Sequence, residues 1–178
     1  MWYGILGVAV LCLLALVRLT RHQKREPVVF RPRVPLSPTA RDVICGAQRE
    51  AHALGHVYVG PEHLLLAMTA MPNAARTEVE QLGIPAAELR QRVLGSLAKA
   101  LSPHANQTIL PYTSRAWKVL EEAASDALNT QQSTTGIRQL LVGLLREGGS
   151  RAAAELINTG VSLEQLRDGA TVYHRVYL

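Results

Sequence analysis

A shift of 76 positions lays one half of this 178-residue chain over the other. It pairs Ala40 with Ala116, Val43 with Val119, Ile44 with Leu120, Ala47 with Ala123, Ala51 with Ala127, Gly60 with Gly136, and Leu64-Leu65 with Leu140-Leu141. After one inserted residue the shift becomes 77, and Gly83-Ile84 meets Gly160-Val161 while Leu89-Arg90 meets Leu166-Arg167. The matches fall at apolar and turn positions, the signature of one structural unit used twice. Such a chain has few architectures open to it, because each copy must bury its apolar face and the other copy is the nearest partner.

The unit reads as four helices. Ser37 with Pro38 suits a cap and first turn, and Ala40, Val43, Ile44, Ala47, Ala51 and Leu54 recur at three- and four-residue steps. Gly55 is placed to end that helix in the left-handed conformation, and Gly60-Pro61 to open the next, which runs to Met71 before Pro72. Glu62 falls in its first turn, where a carboxylate meets the positive end of the dipole; Leu64, Leu65 and Met68 form its apolar face. Ala74 to Leu82 is a third helix, and Pro85 to about Leu101 a fourth, with Leu89, Val93, Leu94 and Leu97 inward. Residues 36–100 thus form repeat 1, the polar stretch 101–110 a linker, and 111–169 repeat 2. The expected fold class is all-α: two tandem four-helix repeats about a pseudo-twofold. A tail, 170–178, follows.

Ahead of the repeats, Met1 to Val17 is apolar throughout and closed by Arg18. At about 1.5 Å per residue this lies at the short end of what spans a hydrocarbon core of about 30 Å. Basic residues before it and a small-x-small cleavage site after it are both missing, so a retained transmembrane anchor is expected rather than a cleaved signal. Basic residues follow the span, which places the carboxyl side in the cytoplasm of a bacterial cell. Residues 18–35 contain Pro27, Pro32 and Pro35 and read as an extended tether. The pI near 9.6 raises nucleic acid as a partner. Yet the whole excess of +5 lies between Arg18 and Arg33, which leaves 13 basic and 13 acidic residues elsewhere. That distribution suits anionic lipid headgroups, or topology alone, and argues against a nucleic-acid-binding face on the folded part. Cys12 and Cys45 are read as free thiols.

The run Gly55 to Met68, with Glu62-His63 followed by leucines, closely resembles the repeat of the Clp amino-terminal domain. Pro111-Tyr112-Thr113 and Leu144-Leu145-Arg146-Glu147-Gly148 with Ala152-Ala153 extend the resemblance over about Leu36 to Asp168. It implies a helical module that docks substrates or adaptors for a Clp-family unfoldase and its protease. In the type found in Gram-positive bacteria, a hydroxyl at each repeat's start and the glutamate of each Glu-His pair form pockets for phosphorylated arginine. Carried over by position, these are Ser37 and Glu62 in repeat 1. In repeat 2 the hydroxyl is Thr113, but Arg138 replaces the glutamate and Gln139 the histidine. An arginine repels a guanidinium where a carboxylate would pair with it, so at most one such pocket is expected.

Helix capping and dipole compensation account for Ser37 and Glu62 equally well. His52, His56 and His63 beside Glu62 supply no complete metal ligand set, and no metal or cofactor is expected. The chain lacks a Gly-x-x-x-x-Gly-Lys-Ser/Thr loop, a Gly-x-Ser-x-Gly elbow and a His-Glu-x-x-His helix, so a binding role is expected in place of catalysis. The expected protein is a membrane-anchored receptor or competitor in a Clp protease system; the alternative is a sensor of small phosphorylated or antibiotic-like molecules in a repeat cleft.

Overall fold

Both second helices of the duplicated unit sit at the centre of the computed structural model, which describes residues 34–70, 73–97 and 109–168. The chain divides into residues 1–30 and 31–178, and every described residue belongs to the latter. Repeat 1 supplies α1 (Pro38–Ala53), α2 (Pro61–Thr69), α3 (Ala74–Gln81) and α4 (Ala86–Ser96). Repeat 2 supplies α5 (Ser114–Asn129), α6 (Ile137–Glu147), α7 (Arg151–Asn158) and α8 (Leu163–Asp168). All regular elements among the described residues are helices.

Local chemistry sets the ends. Ser37 Oγ accepts from Ala40 N at 3.1 Å and Thr113 Oγ1 from Ala116 N at 3.1 Å, so the first helix of each repeat starts on a hydroxyl cap. Each cap is worth about 1 kcal/mol. Gly55 leaves α1 with φ 71°, and its counterpart 76 positions later is Gln131 with φ 54°. A side chain with a Cβ is disfavoured there, whereas glycine is not. Gln131→Gly is therefore expected to raise stability by about 0.5–1 kcal/mol in urea denaturation; no gain would mean that the turn stores no strain.

α2 is buried on every side. Pro61, His63 to Met68 and Thr69 are all covered, because α1, α3, α4, α5 and α7 pack around it. The apolar face expected at Leu64, Leu65 and Met68 is thus a full circumference that also takes in Leu66 and Ala67, as a central helix requires. α6 has the same position in repeat 2, against α5, α7 and α8 and, from the other repeat, α1 and α3. Leu94 and Leu97 of the expected inward set are only half-buried, since α4 ends at Ser96 and offers just Ala86, Leu89 and Val93 to the core.

The repeats are joined by a reciprocal exchange. Leu36 bridges to Thr135 and Val59 to Tyr112, both parallel. Position 36 plus 76 is 112, and 59 plus 76 is 135, so the extended residue leading into each repeat pairs with the turn before the other repeat's second helix. The hydrogen bonds match: Thr135 N to Pro35 O at 2.8 Å and Ser37 N to Thr135 O at 3.0 Å, against Val59 N to Pro111 O at 2.8 Å and Thr113 N to Val59 O at 2.9 Å. Helix packing follows suit, α2 on α5 mirrored by α1 on α6, and α2 on α7 by α3 on α6. These are the paired contacts of a self-complementary interface. Val34, which the sequence puts in the tether, is buried at this junction. Leu110 at the linker's end is clasped by Gln48, which donates to its carbonyl at 3.0 Å and accepts from its amide at 2.9 Å.

The expected localisation, a cell-membrane protein with a single span and a cytoplasmic carboxyl domain, is corrected. Among the described residues no helix is long and apolar enough to cross a membrane. The longest, α1 and α5, have 16 residues each, about 24 Å of rise, and each keeps a polar face. Residues 1–17, expected to span, residues 18–33, expected to meet lipid, and the tail lie outside the described residues.

Candidate functional site

The turn between α1 and α2 is built around two imidazoles. The amide of Gly60 donates to His63 Nδ1 at 2.8 Å, so that nitrogen carries no proton. The proton of neutral His63 then sits on Nε2 and is donated to His56 Nδ1 at 2.8 Å. The rings meet edge to face with centroids 4.9 Å apart, and Tyr58, half exposed, stacks on His56 at 5.9 Å. Repeat 2 holds the same turn with Gln139, whose Oε1 accepts from Gly136 N at 3.1 Å. The histidines are structural in this geometry, and no group of three or more possible metal ligands occurs among the described residues.

Burial lowers the pKa of His63 to about 4, with the neighbouring His56 adding to the effect. In the unfolded chain the imidazole titrates near 6.5. Below that value the unfolded state binds a proton that the folded state refuses, so stability falls as pH drops from about 6.5 to about 4 and is fully present above. His63 is 1% exposed, so the whole shift counts, up to about 3 kcal/mol. His63→Gln copies the arrangement of repeat 2 and removes the titration. The stability of wild type relative to His63→Gln should therefore decline between pH 7 and 4; a pH-independent difference would refute the assignment.

Glu62 does not serve only its own helix. Its Oε1 accepts from the amide of Arg151 at 3.2 Å, in the first turn of α7, so a carboxylate of repeat 1 satisfies a helix start of repeat 2. It lines a cleft of about 460 Å³ with Tyr58, His56, Leu97, Arg115 and Arg151. Around it Arg115 donates to Gly149 O, Arg151 to Ser96 O, and buried Glu147 accepts from Ser150 N at 2.8 Å.

The four sequence-derived site residues do not assemble repeat by repeat. Thr113 hangs from Val59 by its backbone, three residues before Glu62, and Ser37 hangs from Thr135, three residues before Arg138. The reciprocal bridges therefore put the backbone of each hydroxyl-bearing residue beside the other repeat's turn, Thr113 near that of Glu62 and Ser37 near that of Arg138, while both hydroxyls cap their own helices. Arg138 bonds Leu166 O at 3.0 Å and lines a separate cleft. Arg115 and Arg151 drew no notice in the sequence, because only the fold carries them to Glu62.

The family profile of the Clp repeat (R) N-terminal domain matches residues 35–159 and 111–174. The chain belongs to this family. The negative regulator of genetic competence ClpC/MecB of Bacillus subtilis is 36% identical over 129 residues, 72% of this chain and 16% of that protein. The chain thus spans about a sixth of that relative's length. Among solved structures, the N-terminal domain of ClpD from Arabidopsis thaliana superimposes with a TM-score of 0.57 at 23% identity, covering 75% of this chain and 92% of that one. The Hsp104 N-terminal domain from Candida albicans gives 0.59 at 18% identity, covering 75% and 87%. Both share the Clp N-domain fold.

Proposed function

We propose that this Clp N-domain is a non-catalytic protein-binding module that receives substrates or adaptors of a Clp protease system, as receptor or competitor. We further read it as a double repeat with pseudo-twofold symmetry, its units bounded at 36–100 and 111–169. The supporting observation is the cleft shared by the two repeats at Glu62. There a carboxylate, an exposed tyrosine ring and two guanidiniums lie on one surface. A phosphorylated arginine carries both matching charges: its guanidinium pairs with a carboxylate, its phosphate with Arg115 and Arg151.

Calorimetry with phospho-arginine tests this reading. Glu62→Ala is expected to weaken binding at least tenfold, about 1.4 kcal/mol, while Ser37→Ala leaves it unchanged. No heat with wild type would reduce Glu62 to a helix-capping group. Affinity capture that recovers neither Clp components nor degradation substrates would remove the protein-binding role; phospho-arginine binding without such capture would favour the sensor reading instead.

A further inference from the structure

The two repeats keep one acid–base pair at equivalent positions but engage it differently. In repeat 1, Glu50 on α1 and Arg90 on α4 form an ion pair at 3.0 Å, and Arg90 also donates to Leu66 O at 2.8 Å. That arginine is fully engaged. Their counterparts in repeat 2 are Asp126 and Arg167. Aspartate is one methylene shorter, and the buried carboxylate of Asp126 is taken by Arg146 at 2.9 Å, which leaves Arg167 at 3.7 Å and half exposed.

A second cation stands beside it. Arg138 occupies the place that Glu62 holds in repeat 1, and its Nη1 bonds Leu166 O, the carbonyl next to Arg167. Among the described residues no carboxylate pairs with Arg138 within 4 Å. It also lies in the first turn of α6, where the helix dipole disfavours a positive charge. A cation held against its own helix and beside another cation makes poor sense for stability and good sense for an anion. Both arginines face a cleft of about 330 Å³ that Thr130, Gln132 and Gln139 also line, with Asp126 neutralised by Arg146 at its base.

We propose that this cleft in repeat 2 binds a doubly charged oxyanion borne by a protein partner, a phosphomonoester such as phosphoserine, with Arg138 and Arg167 as its two clamps. Guanidinium forks match phosphate oxygens in pairs, and the amide of Gln132, which spends one proton on Thr130 O, has a second for a remaining oxygen. The cleft at Glu62 offers a carboxylate as well as cations and this one offers its cations alone, so the module would present one surface for a mark bearing both charges and another for a purely anionic one. The inference rests on the protein-binding reading only for the identity of the carrier.

The test is calorimetry at low ionic strength with a short peptide carrying one phosphoserine, the same peptide with serine, the same peptide with aspartate, and inorganic phosphate. The phosphopeptide should bind, the serine and aspartate forms at least tenfold more weakly, and Arg138→Gln and Arg167→Gln should each weaken it at least tenfold. Unchanged unfolding midpoints show that the variants are folded; Arg92→Gln, a surface change in repeat 1, should bind as wild type. Equal binding of the serine or aspartate peptide, inorganic phosphate as tight as the phosphopeptide, or unaltered affinity in Arg138→Gln overturns the proposal. Wild-type protein that captures Clp partners but gives no heat with phosphoserine overturns it while leaving the proposed function standing.

Discussion

Gly143→Ala is expected to destabilise the protein by about 3 kcal/mol, lowering its melting temperature by roughly 10 °C. A Cβ on Gly143 would lie 2.3 Å from the carbonyl oxygen of Val119 and 3.2 Å from the amide of Ala123, both backbone atoms of α5. No rotamer change relieves such a contact; α5 and α6 must separate, and with them the core around Leu120, Leu140 and Leu144. Repeat 1 solves the same crossing differently. Ala67 stands 76 positions before Gly143, and α1 makes room for it with Gly46, where an added Cβ would come 3.0 Å from the Ala67 methyl. Gly46→Ala should cost less than Gly143→Ala, because it meets one methyl group in place of a helix backbone. Urea denaturation of both variants checks the order; equal or reversed losses would contradict the packing described.

Arg146→Met should cost about 3 kcal/mol by a different route. The carboxylate of Asp126 is 3% exposed and depends on Arg146 at 2.9 Å; the alternative, Arg167, is 3.7 Å away and half exposed. Replacing Arg146 with an apolar side chain of similar length keeps the packing and strands a buried charge. The double variant Arg146→Met, Asp126→Asn removes that charge and should regain more than half of the loss. A single variant that loses under about 1 kcal/mol would show that Arg167 or water takes over the carboxylate.

Much of the fold was legible because its determinants are local. The 76-residue register, the Ser37 and Thr113 caps, Gly60-Pro61 at the start of α2 and the left-handed turn at Gly55 all follow from residues within a few positions of one another. The identity of a helical module that folds one unit twice came from the same signals, and the family profile agrees with it. The charge reversal from Glu62 to Arg138 could also be seen in the sequence alignment of the two halves. The membrane localisation rested on a short apolar run and the basic residues after it, which lie outside the described residues, and the described helices give it no support.

Composition and spacing along the chain thus settled which helices form, where they begin and how often the unit recurs, since capping, turn geometry and apolar periodicity act over one or two turns. Which residues share a cleft was decided only in three dimensions. The exchange of Leu36 and Tyr112 between the repeats, the reach of Glu62 to the start of α7, and the release of Arg167 by Asp126 depend on contacts between segments far apart in the chain. Those contacts come from how the two copies bury their common apolar faces, and no local pattern records which neighbour that burial will supply.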